Sequence, residues 1–327
     1  RLDRDELAPA RLYRAAYLEA LRAYEAADAL DPIGVEERPA DARDAGLLAD
    51  IAQDPPLDAD LLRAQGEGLL HRRAGLVSPR RAIAHFTKGA EKRAGVFIIS
   101  IERGASGWRL ISPDGAVAEA DIVVLCAGRQ LGAFAQTRWL PLEYSRGQVD
   151  WGAGPSPKRV IASGGYVAPY ADGVLFGATF DQIDASAEVR EDDASTARNL
   201  ATLARLEPET AAALKPRGRR ASVRVSANDR MPIVGLAPDA SAWTRRFASL
   251  RDGRAPEDMS APPPAHDGLY LLGALGARGF LLAPILGERI VSEALDEPQA
   301  LDHGVLDAGH PARFLVRALK RGQDLGF

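Results

Sequence analysis

Apolar positions along this chain switch between a helical period and a strand period, and the switches predict its elements. From Pro9 to Leu30, apolar and aromatic residues recur at Tyr13, Ala16, Tyr17, Ala20, Leu21 and Tyr24, one face of a helix. Asp31-Pro32 ends that run, because a residue before proline is pushed out of the helical region. Leu47 to Gln53 and Asp58 to Gln65 predict short surface helices, and Val77-Ser78-Pro79 leads into a helix from Arg80 to about Lys92. Val96 to Glu102 and Trp108 to Ser112 read as strands, followed by the turn Pro113-Asp114-Gly115. Ala120 to Gly128 is almost wholly apolar and ends in Ala127-Gly128, the pattern of a central parallel strand.

The middle of the chain has the shorter period. Glu143 to Trp151, Val160 to Pro169 and Val174 to Phe180 read as antiparallel strands, with turns at Gly152–Pro155 and Ala171–Gly173. A helix is predicted from about Asp193 to Leu206, capped by acidic residues and Ser195 at its start. Ser222 to Val225 and Met231 to Gly235 are further strands, and Asp239 to Asp267 reads as a long surface loop. Leu269 to Leu272 is a short buried strand. Gly273, Gly276 and Gly279 then form a glycine turn, and Leu282, Ile285, Leu286, Ile290 and Ala294 carry a helix from Leu281 to Leu295 with Pro284 in its first turn. The expected architecture is mixed α/β: a Rossmann-like layer from 1–140 and 265–327, interleaved with an antiparallel-sheet domain over 141–264.

Composition narrows this picture. The chain has 327 residues, 46% of them hydrophobic, enough for a substantial core. A net charge of −4 removes any global basic field, so a nucleic acid would have to meet a local patch. The single cysteine, Cys126, excludes an internal disulfide framework and suits a reducing, cytoplasmic setting; its apolar context predicts a buried core residue. No apolar run reaches membrane-spanning length. His71, His85, His266, His303 and His310 show no metal spacing.

Candidate chemistry concentrates where Leu269 to Leu272 turns into its helix. Backbone N–H groups at a helix start, together with the helix dipole, favour an anion. A dinucleotide fingerprint fits poorly, because the spacing is G-x-x-G-x-x-G and no strand ending in an acidic residue follows. The turn suits the reactive end of a cofactor bound elsewhere in the chain: a reduced flavin is anionic at its pyrimidine edge, and a helix start there stabilises it. An ordinary strand–helix turn, with glycines serving tight packing, is the alternative.

Four further segments precede this turn in order: Val123–Gly128, Tyr144-Ser-Arg-Gly-Gln-Val149, Gly165-Tyr-Val-Ala-Pro169 with Phe176-Gly-Ala-Thr-Phe180, and Arg224 to Gly235 with its Arg-x₇-Pro-x-x-Gly pattern. The ordered set resembles the D-amino-acid-oxidase-like FAD-dependent oxidoreductases, which include glycine and sarcosine oxidases. Arg146-Gly-Gln, Gly-Ala-Arg278-Gly with Ala283-Pro284, Asp296-Glu-Pro298 and the tail Pro311 to Gly322 are most similar to the oxidase module of the bifunctional tRNA 5-methylaminomethyl-2-thiouridine biosynthesis family. That superfamily opens with a strand, G-x-G-x-x-G and helix. This chain starts at Arg1 without them, and the expectation is that they lie upstream in a longer product; a truncated, non-catalytic remnant is the alternative.

The resemblance implies FAD as cofactor and assigns roles. Arg224 would clamp a substrate carboxylate with two parallel N–H···O bonds, or be a surface arginine on a strand. Arg278 would contact carboxylate or flavin, or form a structural salt bridge. Tyr166 would line the substrate site, or the core, and Arg146 would orient substrate or flavin, or cap a strand. Ala127 and Gly128 would approach the ribityl–pyrophosphate region, the backbone of Ile98 the adenine, and Gly273, Gly276, Ala277, Arg278, Gly279, Phe280 and Leu281 the flavin. The implied reaction oxidises 5-carboxymethylaminomethyl-uridine at the tRNA wobble position: hydride passes from the C–N carbon to flavin, water hydrolyses the imine, glyoxylate leaves and 5-aminomethyluridine remains. A fused or separate methyltransferase would act next. The rival activity is oxidation of glycine, sarcosine or a similar free amine. Arg313, Arg317, Lys320 and Arg321, and also Lys215-Pro-Arg-Gly-Arg-Arg220, are local basic stretches for tRNA phosphates or simply solvated faces.

Overall fold

The computed structural model describes residues 7–254, 256 and 260–323. Two compact units divide the chain, one from residues 1–90 and 144–223, the other from 91–143 and 224–327. This grouping differs from the expected division, because Val35–Glu37 pairs in parallel with Val160–Ala162 and so ties the first ninety residues to the antiparallel sheet.

In the first unit the sheet runs in the order Leu62–Gln65, Gly68–His71, Val35–Glu37, Val160–Ala162, Tyr166–Tyr170, Gly173–Gly177 and Leu142–Ala153, and the last of these also pairs Asp181–Ile183 and Lys215–Ala227. The expected single strand from Val160 to Pro169 is broken by a turn at Gly164, whose φ of +62° suits glycine. Asp58 to Gln65 is not a helix: Leu62–Gln65 forms a hairpin with Gly68–His71 around Gly66. The first helix, Ala8–Ala26, stops short of Leu30, and the third, Pro79–Phe86, stops short of Lys92. Helix Asp193–Leu206 has the expected limits; Asp192 caps it, accepting the Ser195 N–H at 2.6 Å where a carboxylate also meets the helix dipole. Its Leu203 and Leu206 pack with Ile161, Val167, Val174 and Phe176 on one face of the sheet.

In the second unit, Ile233–Pro238, Ala265–Gly273 and Val123–Leu125 form one sheet, and Ser100–Arg103, Trp108–Ser112 and Gly115–Ala120 form another. Val123–Leu125 pairs in parallel with the Ala265–Gly273 strand, as its apolar run predicts, but only one of its faces is covered. Ile122 and Val124 are exposed, and so is Cys126, contrary to the expected core position. The stretch from Asp239 is not a plain loop: it holds helix Ala240–Arg246 and a 3₁₀ turn Ala248–Asp252, anchored by buried Trp243 and Phe247. Helix Gly279–Ala294 starts two residues early, so Pro284 lies in its second turn. Among the described residues no helix is long and apolar enough to cross a membrane.

Candidate functional site

The two glycine-bearing loops meet because of strand register. Leu269 lies opposite Val123 and Leu271 opposite Leu125 in a parallel pairing. Both strands therefore deliver their carboxyl ends to the same edge, one into Cys126-Ala127-Gly128 and the other into Gly273 to Gly279. The carboxyl edge of parallel strands is where α/β sheets place ligands.

The glycines on this edge have different causes. A Cβ on Gly273 would stand 2.5 Å from Cδ2 of the fully buried Leu131, so this glycine serves packing. Gly128 and Gly276 have φ of +52° and +56°, and Ala274 shares the left-handed region at +56°. A Cβ on Gly279 would meet nothing within 4 Å, and the same is true of Gly128. Gly279 has no left-handed φ either, so neither backbone nor neighbours demand glycine at this helix start. Open space beside small residues and a helix N-terminus fits the close approach of a flavin cofactor.

Arg224 is joined to this turn through its strand. Val225 and Ala227 are buried while Arg224 and Ser226 point the other way, half-buried. Ser226 bridges to Leu275, and the Gly276 N–H donates to the Val225 carbonyl at 2.8 Å. Arg278 holds the cap position of helix Gly279–Ala294: its N–H donates to the Leu275 carbonyl at 2.9 Å and its own carbonyl accepts from Leu282 at 3.0 Å. Phe280 is half-exposed, and Leu281 is partly covered. Ile98 turns into the hydrophobic core between the exposed Phe97 and Ile99.

Arg146 and Tyr166, both in the first unit, lie on opposite faces of its sheet. Tyr166 lies opposite Gly177, and Gly177 opposite Val149, so strand alternation places Tyr166 on the Val149 face. Arg146, Gln148 and Asp150 project from the other face, under helix Asp193–Leu206. Arg146 Nε donates to the Arg190 carbonyl at 2.8 Å; Nη1 reaches Ser195 Oγ at 2.9 Å and Asp181 at 3.4 Å; Nη2 reaches Gln148 Oε1 at 2.9 Å and Asp192 at 2.7 Å. Gln148 in turn bonds Thr196 at 2.9 Å, and Asn199 donates to Asp150 at 2.6 Å. With its donors directed at these protein acceptors, Arg146 braces the start of helix Asp193–Leu206.

The C-terminal basic residues are also divided. Arg313 is buried: it donates to Asp229 at 2.8 Å and 3.1 Å and to the Gly309 carbonyl at 2.7 Å, and it stacks 4.0 Å from the Phe314 ring. Burial would raise the Asp229 carboxyl, but the bonds from Arg313 and Arg317 prevail and hold it below the usual range. Within Lys215 to Arg220, Arg217 pairs with Asp172 and Arg219 with Asp193. No local sequence signal marks Leu131 as the partner of Gly273 or Asp229 as a hub. Among the described residues no group of three or more His, Cys, Asp or Glu is placed to hold a metal.

Comparison with known proteins agrees with this architecture. The FAD dependent oxidoreductase family, DAO, matches residues 6–293. The tRNA 5-methylaminomethyl-2-thiouridine biosynthesis bifunctional protein MnmC of Chromohalobacter salexigens is 33% identical over 291 residues, covering 84% of this chain and 40% of that protein. The protein of the same name from Burkholderia mallei is 35% identical over 269 residues, 78% of this chain and 40% of its own length. The chain thus spans about two fifths of these relatives. Glycine oxidase from Geobacillus kaustophilus superposes with a TM-score of 0.68 at 18% identity over 92% of this chain and 81% of its own. Iminodiacetate oxidase from Chelativorans sp. BNC1 gives 0.65 at 19% identity over 92% and 83%. With a D-amino-acid-oxidase-like fold and a family match over most of its length, the chain belongs to the FAD dependent oxidoreductase family, with FAD as its cofactor.

Proposed function

We propose that this FAD-dependent oxidoreductase acts on tRNA, oxidising the secondary amine of a 5-carboxymethylaminomethyl group on wobble uridine. The carboxymethyl carbons leave as glyoxylate after hydrolysis of the oxidised C–N bond, and a 5-aminomethyl group remains. The observation that carries this reading is the identity of about one third to proteins named for tRNA 5-methylaminomethyl-2-thiouridine biosynthesis, over 84% and 78% of this chain.

FAD, when bound, supplies the two-electron acceptor. The rest is positioning by the chain's own residues. Arg224 binds the carboxylate of the carboxymethyl group through its guanidinium fork, fixing orientation as well as charge. Arg278, at the cap of helix Gly279–Ala294, adds a second cation at the turn. The Gly128 and Gly279 backbones, free of side chains, admit the cofactor, and the helix start favours negative charge there. A neutral amine needs no dedicated base.

The test uses the full chain loaded with FAD and tRNA bearing 5-carboxymethylaminomethyluridine, with glyoxylate and the nucleoside product as readouts. Product formation is the expected result. Fast oxidation of sarcosine with the tRNA untouched would transfer the assignment to a free amine oxidase. A folded protein that takes up no FAD would make it a non-catalytic remnant.

A further inference from the structure

Two basic segments far apart in sequence lie on one surface of the second unit. Trp243 and Phe247, with Leu250, share a hydrophobic cluster with Phe314, Leu315 and Leu319. That packing sets helix Ala240–Arg246 and its following turn against helix Ala312–Lys320. Arg245, Arg251 and Arg254 are exposed on the first segment, and Arg317, Lys320 and Arg321 on the second. From Pro311 to Gln323 there is no acidic residue at all. Asp252 pairs with Arg254 and Asp229 takes up Arg313 and Arg317, but among the described residues no ion pair claims Arg138, Arg245, Arg251, Lys320 or Arg321. A chain of net charge −4 thus carries a concentrated cationic surface.

The surface is grooved. A cleft of about 380 Å³ is lined by Trp139, Asn228, Phe314, Arg317, Arg321 and Gln323. A second, of about 410 Å³, is also bordered by Trp139 and is lined by Gln136, Arg138, Asp239, Ser241 and His266. Gln136 donates from Nε2 to the Ile101 carbonyl at 2.9 Å, and its Oε1 is buried without a hydrogen-bond partner. Cations beside clefts with aromatic walls match a nucleic acid backbone and its bases; an anionic bilayer calls instead for a broad apolar face between the cations.

We propose that this surface, with Arg138, Arg245, Arg251, Lys320 and Arg321 as its phosphate contacts, docks RNA. The inference rests on the tRNA reading above and names where on the chain the tRNA body sits.

The experiment titrates the full chain, FAD-loaded, with a labelled RNA hairpin at several salt concentrations. Lys320→Glu with Arg321→Glu, and separately Arg245→Glu with Arg251→Glu, should each weaken binding at least tenfold. Each pair should also reduce the slope of log affinity against log salt by roughly 0.7–0.9 per lost phosphate contact. Oxidation of an N-substituted glycine should be unchanged, showing that the fold and the reaction site survive. Lys158→Glu with Arg159→Glu, an equal charge change in the first unit, should leave RNA binding within about twofold, since only local contacts release counterions. The surface is refuted if both test pairs bind as tightly as the parent, or if the Lys158/Arg159 pair loses as much. A parent chain that binds no RNA instead sinks the tRNA reading itself. Equal loss of binding to phosphatidylserine vesicles, at affinity matching the RNA, would overturn RNA as the occupant.

Discussion

Gly276 gives its backbone N–H to the carbonyl of Val225 at 2.8 Å, fastening the glycine turn to the strand that carries Arg224. Ser226 and Leu275 bridge beside it. One backbone contact thus sets the distance between the proposed carboxylate clamp and the helix start at Gly279. Displacing the turn would move the cofactor contacts relative to the clamp, and catalysis by positioning tolerates little of that.

The glycines of the turn separate into structural and ligand-facing positions, and alanine tells them apart. Gly273→Ala drives a Cβ onto Leu131 at 2.5 Å and should destabilise the protein by about 1–3 kcal/mol. Gly276→Ala should lose about 1–2 kcal/mol to its left-handed φ. Gly279→Ala meets open space at a helix start, so apo stability should hold or rise by up to about 1 kcal/mol. Its FAD affinity should fall about tenfold. Thermal melts with and without FAD check all three, and a Gly279→Ala protein that binds FAD normally would remove the cofactor from this edge.

Arg224→Ala should lower kcat/KM for a carboxymethylamine substrate by roughly two hundredfold, about 3 kcal/mol, as expected for one truncated partner of a bonded charge pair. Arg224→Lys keeps the charge and loses the fork, so it should recover only part of the rate. Steady-state kinetics on both variants decide the matter. Unchanged kcat/KM in either would return Arg224 to an ordinary strand position.

For Arg146 the expected loss is in stability. Arg146→Met removes both donors to the Arg190 carbonyl and one of two to the buried Gln148 Oε1, which keeps the Asp192 N–H at 2.9 Å, while Asp181 and Asp192 are exposed enough to rehydrate. A destabilisation of about 1–2 kcal/mol follows from the lost bonds. Denaturant unfolding should show it, with kcat/KM per folded molecule near the parent value. A large fall in kcat/KM at parental stability would reinstate a substrate role.

How much of this was readable before the structure depends on whether a signal is local. The Asp193–Leu206 helix and the strand–turn–helix around Gly273 to Gly279 follow from period, caps and glycines within a few residues. Helix Ala240–Arg246 was hidden because its anchors, Trp243 and Phe247, sit among charges that mimic a loop. The strand Lys215–Ala227 begins with exposed arginines whose carboxylate partners come from distant turns. The grouping of units turns on Val35–Glu37 pairing with Val160–Ala162, which no local pattern announces. At the site, Arg224 and the glycine turn were legible as motifs. The network around Arg146 is tertiary, and only there does its donor count become visible.

His310 supplies a pH-dependent stability that can be checked without substrate. Burial first, then the neighbouring Arg289 and Arg313 cations, push it from 6.5 down to about 4. Its Nδ1 accepts the Ala312 N–H at 3.2 Å, so the neutral ring is the form the fold holds. The unfolded chain takes a proton near pH 6.5 and the folded one only near 4. Stability from this residue is therefore complete above about pH 6.5 and drains away as pH falls toward 4, by about 3 kcal/mol in all. Asp229, held low by its arginines, adds a further loss only below the ordinary carboxylate range. His310→Asn keeps an acceptor near Ala312 and cannot titrate. Its stability should fall less than the parent's between pH 6.5 and 4, the remaining fall including that of His266, which burial also holds below 6.5. Urea unfolding at a series of pH values measures both curves, and parallel curves would mean that His310 titrates normally in the folded protein.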